Sequence, residues 1–353
     1  MDSRSCCHKG ALDIGGEGMN RLIRFFSMLL AAVFLAGTMG PNIISMASVS
    51  ETLAHPRPSV NGKLSVSGTK LIDKYGKPVM MKGLSTHGLS WFPDFIDDSF
   101  FRQLSEDWDC DLIRLAMYSE EYVRNPSENL NLLLKGIDCA IENDMYVIVD
   151  WHILNDYNPN MHSDEAAHFF DFVSSKYPDY PNIIYEICNE PNGSTNWNDI
   201  YVYSERIIPI IRKNSPDSVI IVGTPFWSQD LLSAAAAPLP YENIMYALHF
   251  YVSTHRKELQ DVLTEAIRMG LPVFVSECGL SEASGNGYTD YDSAASWFDL
   301  LKHNGISFTI WNLSNKPETS ALFSPSYHPS RTITDGELTP VGLWVRDLIK
   351  VQN

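Results

Sequence analysis

Eight short apolar runs recur along the chain, each bounded by turn-forming residues: 79–84, 112–117, 146–149, 183–187, 219–222, 245–250, 273–275 and 308–311. They are unbroken rather than alternating, the pattern of parallel strands covered on both faces. Between them, apolar residues return at helical spacing. Leu130, Leu133, Leu134, Ile137 and Ile141 do so behind Ser127 as N-cap, then Leu259, Val262, Leu263 and Ala266, then Ala294, Trp297, Phe298 and Leu301. A last helix is predicted over 341–351. Eight strands alternating with helices leave two α/β architectures, a closed (β/α)8 barrel and a doubly wound open sheet.

The residues that follow the runs separate the two. Polar and aromatic side chains cluster after nearly every one: Thr86-His87, Tyr118, Trp151-His152, Asn189-Glu190, Trp227, His249 with Tyr251, Glu277, and Trp311-Asn312. A barrel gathers all eight strand ends on one face, whereas an open sheet gathers only those near its switch point. The absence of a Gly-x-Gly-x-x-Gly turn after the first run also weakens a dinucleotide-binding sheet. The expectation is a single-domain (β/α)8 TIM barrel over 62–353, preceded by a short β-hairpin within 64–77 that turns at Ser67-Gly68 and Tyr75-Gly76.

Upstream, residues 1–47 read as a leader with a secretory signal peptide, and 48–61 as a short lead-in. Arg21 and Arg24 open the signal, 25–40 is apolar, and Ser45-Met46-Ala47 resembles a cleavage site. The apolar stretch falls short of the ~20 residues a membrane span needs. Met19 is the natural start, with 18 residues upstream of it. Localisation is therefore expected to be secreted and extracellular, with no membrane association after signal removal.

A net charge of -17 leaves nothing to neutralise a phosphate backbone and excludes nucleic acid as a partner. Cys6 and Cys7 lie in the leader; Cys110, Cys139, Cys188 and Cys278 sit in or beside apolar segments and read as free thiols. No metal-ligand spacing joins cysteines or histidines, so neither metal nor cofactor is expected. The chain is expected to be monomeric.

Two apolar runs end in a glutamate, Ile187-Cys188-Asn189-Glu190-Pro191 and Phe274-Val275-Ser276-Glu277. Each alone is an ordinary strand-end carboxylate. Together, on one barrel face, they are the minimal equipment for cutting a glycosidic bond, in which one carboxyl carries a proton and the other stays charged. Arg114, inside an apolar run, is costly unless paired and is a candidate partner for Glu277, with a structural ion pair as the alternative. His152, His249 and Tyr251 close strands beside the pair and are candidates to orient Glu277 and a sugar. Asn189 is placed to hold a sugar 2-hydroxyl. Trp311, Trp91 and Trp227 offer flat faces for sugar rings, while Trp108 and Trp297, on helical faces, belong to the core.

At these residues the chain closely resembles the bacterial endo-β-1,4-glucanases (cellulases) of glycoside hydrolase family 5, clan A. The resemblance runs through Gly83-Leu84-Ser85-Thr86-His87-Gly88-Leu89-Ser90-Trp91, Ile113-Arg114-Leu115-Ala116-Met117-Tyr118 and Asp150-Trp151-His152-Ile153-Leu154-Asn155-Asp156. It continues in Asn189-Glu190-Pro191-Asn192-Gly193, Thr224-Pro225-Phe226-Trp227-Ser228-Gln229-Asp230, His249-Phe250-Tyr251, Ser276-Glu277 and Trp311-Asn312-Leu313-Ser314-Asn315-Lys316. It implies a (β/α)8 barrel, a retaining double displacement, Glu190 as acid/base and Glu277 as nucleophile, with Arg114, His152, Asn189, His249 and Tyr251 in support. It further implies that His87, Trp91, Tyr118, Trp227, Ala283, Trp311, Lys316 and Glu318 contact a β-glucan. Two positions depart from the family pattern. Cys278 stands where an aromatic is common, which points to altered packing and oxidant sensitivity, and Tyr157 replaces a frequent glycine. No binding module, dockerin or surface-layer segment follows the barrel in this sequence, so soluble or amorphous chains are the expected substrates. Mannanase, licheninase or xyloglucanase activity on the same fold, a non-catalytic glycan-binding barrel and a metal-dependent hydrolase are the alternatives.

Overall fold

Each of the eight apolar runs becomes a strand. The computed structural model describes residues 55–178 and 180–350. The signal-peptide reading, the Met19 start and the first part of the 48–61 lead-in therefore lie outside the described residues. A two-stranded antiparallel sheet comes first, β1 (Ser65–Ser67) with β2 (Lys70–Ile72), Ser67 opposite Lys70 across the Gly68 turn. The barrel follows: β3 (Lys82–Thr86), β4 (Leu112–Tyr118), β5 (Tyr146–His152), β6 (Ile183–Glu186), β7 (Ile220–Val222), β8 (Ile244–Tyr251), β9 (Val273–Gly279) and β10 (Phe308–Leu313). All pairs are parallel and in chain order, and β10 returns to β3 to close the ring.

Side chains alternate across each strand, so the barrel wall separates two apolar regions. Ile113, Leu115 and Met117 of β4 point outward into the shell shared with the helices, where Trp108 and Trp297 are also buried. Leu112 points inward with Met81, Tyr146, Ile148, Ile184, Ile221, Met245, Ala247 and Phe274. Leu64 and Leu71, flanking and within the hairpin, join this inner cluster, and Tyr146 Oη donates to Gly62 O at 2.7 Å. The hairpin thus plugs the N-terminal mouth of the barrel, and the interior is packed rather than open.

Several boundaries differ from expectation: β5 and β9 run on to His152 and Gly279, and two starts shift by two residues or more. The first barrel strand begins at Lys82, not Val79, because Val79 N is bonded to Leu71 O of the hairpin. The helix expected to start behind Ser127 spans Pro126–Glu142 with Asn125 as N-cap. Pro126 explains the shift, since its fixed φ and missing N–H suit the first helical position and leave Ser127 inside the helix. The helices Lys257–Arg268, Tyr291–Asn304 and Pro340–Lys350 lie where the periodicity put them.

β9 is irregular in a way that matters. Against β8, Ala247 pairs with Phe274 and His249 with Glu277; against β10, Phe308 pairs with Val275 and Ile310 with Cys278. On both sides β9 carries one residue more than its neighbour. Such a bulge breaks the alternation of facing, and here Ser276 and Glu277, although adjacent, both bond to groups inside the barrel.

Candidate active site

Above the inner apolar cluster the strands turn polar together. The register places Ser85 beside Arg114, Ala116 beside Asp150, Asp150 beside Glu186 and His249 beside Glu277. Arg114 is fully buried at the centre. Its Nε donates to Glu186 Oε2 at 2.7 Å, Nη1 to Glu277 Oε2 at 3.0 Å, and Nη2 to Asn189 Oδ1 at 2.6 Å and Asp150 Oδ2 at 2.9 Å. Burial works against its charge, but Asp150, Glu186 and Glu277 outweigh that and push its pKa up. Burial likewise opposes ionisation of Glu186, yet Arg114 and His249 hold it down at about 2. For Asp150 burial prevails and the carboxyl is pushed up.

The two glutamates stand in different surroundings. Glu277 accepts from Tyr251 Oη at 2.7 Å as well as from Arg114, and burial beside Glu277 raises the Tyr251 pKa, keeping the phenol a donor. Glu190 Oε1 lies 3.0 Å from His249 Nδ1. His249 Nε2 lies 3.0 Å from Ser276 Oγ, whose hydroxyl is committed to Glu186 Oε1 at 2.6 Å, so Nε2 must be the donor. Protonated His249 then donates from Nδ1 to Glu190 Oε1. Burial alone would lower the His249 pKa; its bonds to Glu186 and Glu190 outweigh this and raise it to about 9. His249 therefore serves Glu190, and of the three residues expected to orient Glu277, His152, His249 and Tyr251, only Tyr251 bonds to it.

His152 is the opposite case. Burial, then Arg114, depress it to about 3, so it is neutral; Nδ1 bonds Asp150 Oδ2 at 2.7 Å and Nε2 takes a hydrogen from Asn189 Nδ2 at 3.2 Å. The second hydrogen of that amide goes to Ile153 O at 3.0 Å. Asn189 is fully buried. In this geometry its amide holds Arg114 and His152, and a sugar hydroxyl reaching it would have to share or displace one of those bonds.

Glu190, Glu277, His152, His249 and Tyr251 open onto a cleft of about 690 Å³. So do His87, Trp91, Tyr118, Trp227, Ala283, Trp311, Lys316 and Glu318. Arg114 and Asn189 lie behind its surface. One wall is aromatic: Trp311 stacks on His152 at 5.5 Å, Tyr118 packs against His152 at 4.1 Å and Trp91 against Tyr118 at 4.4 Å. Trp227 stands apart on the left-handed turn Pro225–Ser228, whose Ser228 Oγ donates to Asn189 O at 2.6 Å and whose Trp227 N donates to Pro191 O at 3.0 Å. Gly223 lets this turn approach the Glu190 segment, because a Cβ there would lie 2.2 Å from Cys188 O. Lys316 pairs with Glu318 at 2.6 Å beside His87, whose pKa burial and Lys316 lower to about 3.

Sequence reasoning missed Asp150, Glu186 and Ser276, although Glu186 carried the signal that marked Arg114, a charged residue within an apolar run, and Asp150 directly follows another. The oxidant sensitivity expected of Cys278 finds no support, since the thiol is fully buried, its Sγ lies 3.4 Å from Thr309 O, and burial pushes its pKa up. A metal reading gains one point. Among the described residues, ligand atoms of Glu190, His249 and Glu277 lie within 4.8 Å of one another. The set fits a cation poorly, because His249 holds a proton at neutral pH and both Glu277 oxygens already accept hydrogen bonds.

The family model described as cellulase (glycosyl hydrolase family 5) matches residues 72–317. The chain belongs to the cellulases of glycosyl hydrolase family 5. This family 5 chain is 42% identical over 338 residues to an endoglucanase of Clostridium saccharobutylicum, covering 95% of the chain and 74% of that relative. It is 42% identical over 296 residues to endoglucanase A of Butyrivibrio fibrisolvens, covering 82% and 68%. Its structure is similar to the catalytic domain of Thermobifida fusca endoglucanase Cel5A in complex with cellotetraose, with a TM-score of 0.81 and 39% identity over 84% of this chain and 100% of that one.

Proposed function

We propose that the protein is a secreted endo-1,4-β-glucanase that hydrolyses internal β-1,4-glucosidic bonds of cellulose and related β-glucans with retention of configuration. The observation that carries this reading is a pair of carboxylates, held by different partners and with oxygens within 4.8 Å, facing across an aromatic-walled cleft. Retaining glycosidases place their carboxyls about 5–5.5 Å apart, whereas inverting ones leave about 6.5–9.5 Å for a water. In the first step Glu277, aligned by Arg114 and Tyr251, attacks the anomeric carbon. The proton shared by Glu190 and His249 passes through Glu190 to the leaving oxygen. In the second, Glu190 takes a proton from water as the water attacks the glycosyl–Glu277 ester, which frees the carboxylate.

The activities of the similar endoglucanases favour glucan over mannan or xylan. Arg21, Arg24 and the apolar stretch after them support export, which a polymeric substrate also requires. Action as a monomer is part of the same reading. Initial rates on carboxymethylcellulose, glucomannan and xylan, with product sizing, rank the substrates; mixed cello-oligosaccharides are expected. Proton NMR should show the β-anomer first, and an α-configured initial product would overturn retention. Glu277→Gln should abolish turnover while glucan binding survives. N-terminal sequencing of exported protein should find a start after residue 40.

A further inference from the structure

Glu186 ends β6 inside the barrel, has no solvent access and does not line the cleft. It is nevertheless linked to both glutamates. On one side its Oε2 accepts from Arg114 Nε at 2.7 Å, and Arg114 grips Glu277. On the other its Oε1 accepts from Ser276 Oγ at 2.6 Å, Ser276 Oγ lies 3.0 Å from His249 Nε2, and His249 Nδ1 lies 3.0 Å from Glu190 Oε1. The direct approach of His249 Nε2 to Glu186 Oε1 is longer, 3.6 Å, so the serine hydroxyl is the tighter link. Ser276 reaches this position through the bulge in β9, without which it would face away from Glu277.

Chemistry fixes the direction of each bond. An ionised carboxylate only accepts, and Glu186 is ionised because Arg114 and His249 outweigh its burial. Ser276 has one hydroxyl hydrogen and gives it to Glu186, which leaves its oxygen to accept from His249 Nε2. Loss of the Nε2 hydrogen would require Ser276 to turn its own hydrogen away from Glu186, leaving a buried anion short of a donor. Loss of the Nδ1 hydrogen requires no such change and leaves a bare nitrogen facing the Glu190 carboxyl. The charged and titratable groups around the ring are Glu186 of β6, Glu190 just after it, Glu277 of β9, Asp150 and His152 of β5, and Arg114 of β4 behind Glu186.

We propose that Glu186 and Ser276 are positioning residues for the acid/base: their relay to His249 pins a hydrogen on Nε2, so that Nδ1, the nitrogen facing Glu190, is the one that gains and loses the proton. The kinetic half of the test rests on the endoglucanase reading above; the spectroscopic half does not. The intact enzyme is isotope-labelled at histidine nitrogen, and the His249 signals are assigned with His249→Gln. Both ring nitrogens are followed by proton–nitrogen NMR correlation across the pH range, beside kcat on carboxymethylcellulose. In the wild type Nε2 should stay protonated throughout while Nδ1 titrates near pH 9. Ser276→Ala takes the acceptor from the charged ring, so the His249 midpoint and the alkaline limb of kcat should both move down by about one pH unit. Glu186→Gln keeps the shape and removes the charge; it should move the midpoint at least as far, and it carries the test should Ser276→Ala not fold. Thr309→Val is the structural control. Thr309 Oγ1 donates to the Ser276 carbonyl, outside the relay, so its loss should lower the melting temperature and leave the midpoint in place. Wild-type deprotonation at Nε2, an unmoved midpoint in folded Ser276→Ala, or an equal shift in Thr309→Val overturns the relay. A wild type inert on every glucan overturns the endoglucanase reading, while the NMR titration still decides the relay.

Discussion

Arg114 makes four contacts of 2.6–3.0 Å from a position with no solvent access. A lysine carries its charge at a point and cannot span four acceptors with a planar fork. Arg114→Lys should lower kcat by about 10²-fold or more with KM little changed, measured by steady-state kinetics. Arg114→Met leaves buried carboxylates uncompensated and should cost roughly 3–5 kcal/mol, read by urea denaturation. His249, faced by Glu186, Glu190 and Glu277, supplies the pH dependence. Its folded pKa is raised to about 9 from 6.5, so the stability it contributes is complete below 6.5 and lost as pH rises through 9. The proton that His249 loses is the one on Nδ1, which faces Glu190. An alkaline limb near pH 9 is expected in both kcat and melting temperature. His249→Gln should abolish that limb and lower kcat by about 10²-fold. At this scale much was legible, because charged residues inside apolar runs are rare enough to notice. The assignment of partners was not: nothing in the order of residues tells whether His249 serves Glu190 or Glu277.

β9 shows where a period-two reading stops working. Strict alternation would turn Ser276 and Glu277 to opposite faces, and the sequence offers no sign that one extra residue brings both inside. Tyr251 depends on the same strand. Its ring lies so close to Gly279 that a Cβ there would come within 2.5 Å of ring carbons. The turn bearing Trp227 depends on Gly223 in the same way. Gly223→Ala forces a methyl onto the Cys188 carbonyl and should cost about 1–3 kcal/mol. It should also lower kcat more than it changes KM, because the displaced backbone leads straight to Glu190; melting curves and kinetics on carboxymethylcellulose check both. Helix positions were read well where apolar spacing was regular, and the one misplaced cap came from weighing a serine above the Asn-Pro pair that starts Pro126–Glu142.

For the whole molecule, eight apolar runs and eight decorated ends sufficed to reach a closed barrel, since no other arrangement brings so many polar ends to one face. The inner plug was less visible. The hairpin was expected, but its packing into the mouth of the barrel depends on Leu64 and Leu71 meeting strands far away in sequence. The intact enzyme should retain full activity after dialysis against a chelator and gain none from added divalent ions, because the Glu190–His249–Glu277 set is held by protons and hydrogen bonds. Loss of activity in the chelator, restored by a metal, would show that a cation belongs to the site. Closure of the ring by β10 against β3 bears on how the protein is made. As the chain is synthesised, β3 and then β9 wait with bare edges, and Trp311 arrives only with the final strand. A nascent polypeptide that already contains both glutamates still lacks the strand that closes the ring and carries Trp311, so catalytic competence is expected only after β10 has joined.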